Sequence, residues 1–484
     1  MTRFRILALS TLLAALLVTA ACDEHVTPGP TMTTTPQKPT ATPARATLKA
    51  TATSGSTHTP VPIVVLSPTG TPAPVVVPSP TGTPAPSPTA TLTPTHTPVP
   101  IAALLPTDIP RLPTGDSESD VVTVCAAGCD FATIQAAIDD AIVTTGRIIQ
   151  VMDAVHTEVG IVVDNHVTIR GQGAERTIVQ AHREAGQATD RVFFIAKGAA
   201  VAIEDLTIRH GSPIKDRRSG GGVLNRGALV LLRCVVSDNL ANCGGGILND
   251  GGTLTISDSS IRNNIADGQA PPGYDCGSGG AIKNVEGGSL TLANSTLNGN
   301  YAENKGGGLH VSCKSNAILV NSTISDNYAV GRGGGIHFKG KVTLVHCTIS
   351  SNGARGIVRG GGIGVEPGGG LSVRGPLYLA NTLIADNLKG GDCVLSDKGM
   401  LEVNIHNLVG DNSCAPAYSG DPGLAPLADN GGYTLTRALL PGSPAIDAIP
   451  TSDCPLATDQ RGERRPVGQT SGATFCDIGA FEGQ

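Results

Sequence analysis

From Phe131 the chain reads FATIQAAIDDAI, and Ile134, Ala137, Ile138, Ala141 and Ile142 recur three and four residues apart. That spacing places them on one face of a short amphipathic helix. The pattern then changes. RIIQVM at Arg147, GIVVDNHVTIRGQG at Gly160 and VFFIAKGAAVAIEDLTIRHG at Val192 give short apolar runs bounded by glycine, asparagine and aspartate, which predict strands. No helical period returns in the segments that follow.

Two phrases then alternate. Glycine triplets, or Ser-Gly-Gly in one case, begin at residues 220, 244, 278, 306, 333 and 360. Between them stand VVSDN at Val235, SSIRNN at Ser259, NSTLNGN at Asn294, NSTISDN at Asn321, HCTISSN at His346 and NTLIADN at Asn381. A recurrence of this length, with strands and without helices, is the signature of a solenoid. Each period supplies two or three strands with alternating apolar residues, as in Leu290–Leu292 and then Thr296–Leu297. A single period cannot bury its apolar face, whereas stacked periods hydrogen-bond into parallel sheets around an aliphatic column. On this reading Asn294, Asn321 and Asn381 form a ladder of side-chain amides. The helix covers the open first turn, where strand edges would otherwise lie unpaired.

ATIQAAID followed by short strands resembles the entry to the pectin-lyase-like right-handed parallel β-helix. The GGGI and NSTISDN phrases resemble the repeats of bacterial polymorphic outer membrane proteins. LADNGGYTLTRALLPGSPAIDA from Leu427, TDQRGERRP from Thr458 and CDIGAFE from Cys476 resemble the tail of choice-of-anchor Q proteins. These resemblances imply an all-β, right-handed parallel β-helix attached to a cell. No apolar sorting tail follows Glu482, so the anchor is expected at the other end.

That end supplies one. Arg3 and Arg5 precede an apolar run from Ile6 to Val18, then Thr19, Ala20, Ala21 and Cys22. The run is too short to span a bilayer and reads as a signal peptide over residues 1–21. VTAAC resembles a lipobox, which would place a lipid on Cys22; ordinary cleavage after Ala21 is the other reading. Residues 22–118 are dominated by threonine, proline, alanine and serine, a composition that cannot offset ordering entropy and reads as a disordered linker. The β-helix is expected over 119–392 and a closing region over 393–484. Charged residues make up 15% and net charge is −6, with no basic stripe, so no nucleic-acid partner is expected. The partners expected are a membrane, through Cys22, and an extracellular polysaccharide or another surface component.

Export frames the cysteines. Proximity in sequence, or neighbouring glycine triplets, suggest Cys125 with Cys129, Cys243 with Cys276, Cys393 with Cys414 and Cys454 with Cys476. Cys234 and Cys347 share the repeat position held by Ser259, Ser295 and Ser322, and are expected as buried thiols. No zinc-type pair of CxxC motifs is present, and no cofactor is expected.

Lyases and hydrolases on β-helices use paired carboxylates, or calcium-binding acids with a basic residue. The nearest counterpart here is His310 and His337, at equivalent places after successive triplets, with Lys339 and Glu366 at another equivalent place. A groove with a histidine or lysine base is one reading, with calcium possible only there. A solvated outward face is the expected one, because a single carboxylate is present. Aromatic residues, only 3% of the chain, weigh against a polysaccharide enzyme. Asp447, Asp459, Arg461, Asp477 and Glu482 in the tail read as an ion-pair network closing the last turn, rather than as a cation site. The NST sequons at Asn294 and Asn321 read as ladder positions rather than glycan acceptors. The chain is therefore expected to be a structural or adhesive module, with a polysaccharide lyase or hydrolase as the alternative.

Overall fold

The computed structural model describes residues 121–141, 146–213, 219–268, 276–358, 362–363, 368–466 and 475–483. The expected signal peptide, Cys22 and the linker lie outside them. Helix α1, Ile134–Asp140, starts where Thr133 leaves the helical backbone and its hydroxyl accepts the Ala136 N–H at 3.1 Å. Glu158 accepts the N–H groups of Ile134 (2.7 Å) and Gln135 (3.0 Å). Ile134, Ala137 and Ile138 are buried against the first strands, Val121–Val124, Arg147–Val151 and Ile161–Val163. His156 pins this cap from below. It is 6% exposed and lies 2.9 Å from Glu158 and 3.3 Å from Asp153.

The rest is a column of stacked turns. Ile282–Val285, Ser289–Ala293, Thr296–Asn298 and Tyr301–Ala302 make one turn, and Leu309–Val311 begins the next. Like strands of successive turns pair in parallel and form four sheets. We call them, in chain order round a turn, the leading sheet (nine strands), the long-strand sheet (eleven), the short-strand sheet (eleven) and the edge sheet (five). Parallel strands face the column on one side only, so alternate residues are inward. Ile282, Leu309, Ile336 and Leu371 are in register, as are Leu292, Leu319, Leu344 and Leu379, and Leu297, Ile324, Ile349 and Ile384. All twelve are 0% exposed. The sheets run past residue 393 to Tyr418–Ser419.

Each letter of the phrase NSTISDN has a separate task. Asn294, Asn321 and Asn381 do not form the expected ladder. They turn the corner between the long-strand and short-strand sheets with φ of 48°, 44° and 53°, a left-handed conformation that asparagine tolerates well. The next residue is the first ladder. The Ser295 hydroxyl accepts the Ser259 N–H (3.1 Å) and the Ser322 hydroxyl accepts the Ser295 N–H (3.3 Å). The phrase's final asparagine is the second. Asn239, Asn264, Asn300, Asn327, Asn352 and Asn387 follow left-handed residues such as Asp326 and Asp386 and point inward. Each side-chain amide donates to the carbonyl of the next, at 2.9 to 3.1 Å. The same carbonyl also accepts the preceding asparagine's backbone N–H, as from Asn300 to Asn327 (3.0 Å). The series ends on the Asp392 carboxylate, 2.9 Å from Asn387. A shorter ladder, Asn225 to Asn249 to Asn284, runs within the leading sheet, in register from strand to strand.

The glycine triplets are a steric requirement. At Gly306 φ is +64°, and at Gly307 a Cβ would lie 2.4 Å from the Gly334 carbonyl and 2.6 Å from the Tyr328 nitrogen. The triplet runs against the edge sheet with backbone touching backbone. The glycines that stack on Gly333–Gly335 are Gly368–Gly370 rather than those at 360–362, since Gly334 and Gly335 donate to the Gly368 and Gly369 carbonyls. Ile357–Val358 instead pairs antiparallel with Gly362–Ile363, as an insertion between turns.

Two measurements follow from this architecture. Replacing Asn327 with alanine strands the Asn300 N–H inside the column, costing roughly 1–3 kcal/mol. The urea midpoint should fall accordingly, and an unchanged midpoint would show the ladder to be idle. Burial disfavours the charged form of His156, but the bonds to Glu158 and Asp153 outweigh it and raise its pKa above the ordinary value. Its stabilising effect is then complete below the unfolded-state pKa of about 6.5 and fades as pH rises through the higher native value. The thermal midpoint of the native protein should exceed that of His156→Gln most at about pH 6 and least above about pH 8.

Candidate functional site

Outward residues of the leading sheet form one column in register: Val162, Phe194, Leu224, Leu248, Lys283, His310, His337, Ser372 and Val394. His310 and His337 lie on successive turns with rings stacked at 5.3 Å between centroids. They are 1% and 0% exposed, so they are not the solvated outward pair expected. His310 Nε2 lies 3.2 Å from the Ser312 hydroxyl, and His337 Nδ1 lies 3.1 Å from the Ser372 hydroxyl one turn on. Lys339 follows Phe338, whose register partner is Val373, so Lys339 is matched by Arg374 and not by Glu366. The sequence placed the triplet of that turn one insertion too early. Glu366 lies outside the described residues.

A cavity opens at each end of this column. One, of about 380 Å³, includes Val162, Phe194, Leu224, Asp190, Arg191 and Arg226, with the Arg226 guanidinium 5.6 Å from the Phe194 ring centre. The other, of about 350 Å³, includes Arg332, Ser372, Arg374, Val394, Leu395, Ser396, Asp397 and Lys398.

The edge sheet carries a second outward column: Leu240, Ile265, Tyr301, Tyr328 and Gly353. The two tyrosine rings stack nearly parallel, 6.1 Å between centroids and 13° between planes. The Tyr301 hydroxyl donates to Glu303 at 2.7 Å; partial burial and this carboxylate push its pKa up to about 12. The signal was in the sequence, because NYA follows the repeat phrase at both Asn300 and Asn327.

The tail residues meet in one network. Asp459 pairs with Arg461 at 2.7 Å, and Arg461 also stands over the Phe481 ring at 3.7 Å. The Asp447 N–H donates to Asp477, the Asp477 N–H to Glu482, and the Glu482 N–H to Asp459. The network does not close the last turn. It lies along the flank of the short-strand sheet, because the corners and outward threonines there offer polar groups to grip. Gln460 donates to the Thr296 hydroxyl (2.9 Å) and accepts from that of Thr323 (2.7 Å). The Ala480 N–H donates to Thr348. Arg465, 3% exposed, bonds the His346 ring and pairs with Glu482 at 3.5 Å. Burial, and then the Arg465 charge, hold the His346 pKa well below its ordinary value, so the ring is neutral. Gln460, Arg465 and His346 were not legible as a unit, since over a hundred residues separate His346 from its partner. Among the described residues no group of three or more His, Cys, Asp or Glu is placed to hold a metal ion.

Among the described residues, disulfides join Cys125 to Cys129, Cys243 to Cys276, Cys393 to Cys414 and Cys454 to Cys476. Cys234 and Cys347 are buried thiols within the serine ladder, and burial raises both pKa values to about 12. Cys313 is not a free thiol.

The fold defines a class. Residues 191–375 match the family model described as a right handed beta helix region, and the protein is a right-handed parallel β-helix. Among solved structures it is similar to pectate lyase Pel9A (12% identity, 71% of this chain, 90% of that chain, TM-score 0.38). It is also similar to the pectin methylesterase of Aspergillus niger (12%, 63%, 91%, 0.33) and to the Dettilon tailspike protein (12%, 63%, 69%, 0.29). At such identities the likeness is one of fold alone. No curated protein matches the chain.

Truncating Arg465 to alanine leaves the buried Glu482 without its cation, a loss on the order of 3–5 kcal/mol for a buried pair. Calorimetry should show a thermal midpoint lowered by several degrees. Unchanged melting would mean that the network does not hold the tail in place.

Proposed function

We propose that the protein is exported, anchored at the bacterial cell surface by a lipid on Cys22, and serves there as a non-enzymatic binding module for an extracellular polysaccharide. The observation that most supports this reading is the Tyr301–Tyr328 platform, two flat rings in register on the outside of a rigid column. Such rings offer broad apolar faces at low conformational cost, with a polar tip for hydrogen bonding. The histidines that could have served as a base are buried and hydrogen-bonded to serines. In this reading residues 22–118 are a stalk that holds the column off the membrane. The repeats are of the polymorphic outer membrane protein kind, and the tail from Asp421 to Glu482 is a choice-of-anchor Q region. A shared fold with pectin-named enzymes does not carry their chemistry across.

A panel of immobilised polysaccharides tests the reading. The purified protein should be retained on at least one of them, and a Tyr301→Ala, Tyr328→Ala double variant should bind about tenfold more weakly, with the Phe pair close to native. Steady product release, abolished by His337→Ala, would replace it with the lyase or hydrolase reading. Detergent-phase partitioning lost in Cys22→Ala checks the anchor; partitioning unchanged by that substitution would remove it.

A further inference from the structure

The corners between the long-strand and short-strand sheets carry asparagine at 294, 321 and 381 but histidine at 346 and 406. Asn321 and Asn381 each donate a side-chain amide hydrogen to a tail carbonyl, that of Thr458 and that of Asp453. His346 is gripped differently. Its ring is 0% exposed, with Nδ1 against the Arg465 guanidinium and Nε2 3.0 Å from the Asn381 amide nitrogen. Both partners are donors, so the ring serves the tail as an acceptor. A second proton on the ring would set an N–H against a donor and place a buried cation beside another.

The other charges around the ring are accounted for. Glu482 lies 3.5 Å from Arg465, Asp459 pairs with Arg461 at 2.7 Å, and the Asp453 carboxylate meets His406 at 2.9 Å. The Gly479 and Asp477 carbonyls favour a charged ring, but burial and then the Arg465 charge outweigh them. Burial raises the pKa of the Asp477 carboxyl, so its protonation works the other way and favours the closed tail. The disulfide from Cys454 to Cys476 joins two stretches of the tail to each other, not to the column. Against the column this part of the tail makes hydrogen bonds, among them Gly479 N–H to the Asn381 carbonyl and Ala480 N–H to the Thr348 hydroxyl.

We infer that the tail is an acid-released latch, held shut by the neutral His346 ring against Arg465 and lifted from the flank when that ring takes up a proton. The inference does not depend on the polysaccharide reading. An open tail leaves His346 free to titrate near the ordinary histidine value of about 6.5, whereas the closed tail resists the proton. The closed state is therefore fully favoured above that pH and loses ground below it, with the opening constant rising by up to about tenfold per pH unit. The cap answers in the opposite sense, since the bonds of His156 to Glu158 and Asp153 strengthen on protonation. Release would uncover Thr323 and Thr348, outward hydroxyls of the short-strand sheet that Gln460 and Ala480 hold in the closed state.

Hydrogen exchange of the full chain, read by mass spectrometry from about pH 7.5 to about pH 5 and corrected for the intrinsic rate, tests it. Protection of residues 475–483 should hold above about pH 7 and fall at least about tenfold by about pH 5. Strand Thr323–Ser325, beneath the tail, should stay protected throughout. His346→Asn, which installs the residue used at corners 294, 321 and 381, should flatten the response, and His156→Gln should leave it unchanged. Protection of 475–483 that stays flat to about pH 5 overturns the inference, and so does a loss shared equally by Thr323–Ser325. An acid response kept in full by His346→Asn overturns it as well. If that variant is open at every pH, the comparison of tail with strand in the native protein still decides.

Discussion

Register between successive turns is the constraint on which the rest of the molecule depends. A polar group that points into the column has no water to turn to, and its only partners lie one turn above or below. The asparagine series meets that demand: from Asn264 to Asn387 each side-chain carbonyl takes two N–H groups from the preceding turn, and from Asn239 to Asn352 each amide gives one hydrogen to the next. A slip of one residue would bring leucines to the polar positions and amides into the aliphatic interior. The aliphatic column provides the gross stabilisation, and the amides select one register from several.

Turn length is allowed to vary because register is not tied to it. Ladder partners are separated by 25, 36, 27, 25 and 35 residues along the chain. The extra residues of the two long turns fall in one place, between the edge sheet and the next glycine triplet. There the triplet needs only to return to its close backbone contact.

Much of this was legible in the sequence. Glycine triplets and the NST phrase announce a stacked column, and alternation within five-residue strands tells which leucines face inward. The positions of Cys234 and Cys347 among the ladder serines were readable for the same reason. The assignment within the phrase was not. Asn294 and Asn300 are both asparagines in a repeat, and only backbone dihedrals separate the corner residue from the inward one. The insertion before Gly368 likewise imitates a triplet, and it displaced the expected partner of Lys339. The flank was out of reach for a different reason: Gln460 meets Thr296 and Thr323 across more than a hundred residues, and no local pattern encodes that contact.

The tail that lies on this flank has a geometric consequence. It holds the corners at Asn294, Asn321, His346, Asn381 and His406 through Thr434, Thr458, Arg465, Asp453 and Gly479. The grips fall on five consecutive rungs, with Asp453 spanning the last two, so the strap works as a gauge whose marks count the rungs beneath it. A duplicated or lost rung anywhere under the strap would put every later mark out of step, whereas the rungs ahead of Asn294 carry no such marks. Relatives that grow or shrink would therefore do so toward the amino terminus, lengthening the free stretch of the rod while its gauged end stays constant.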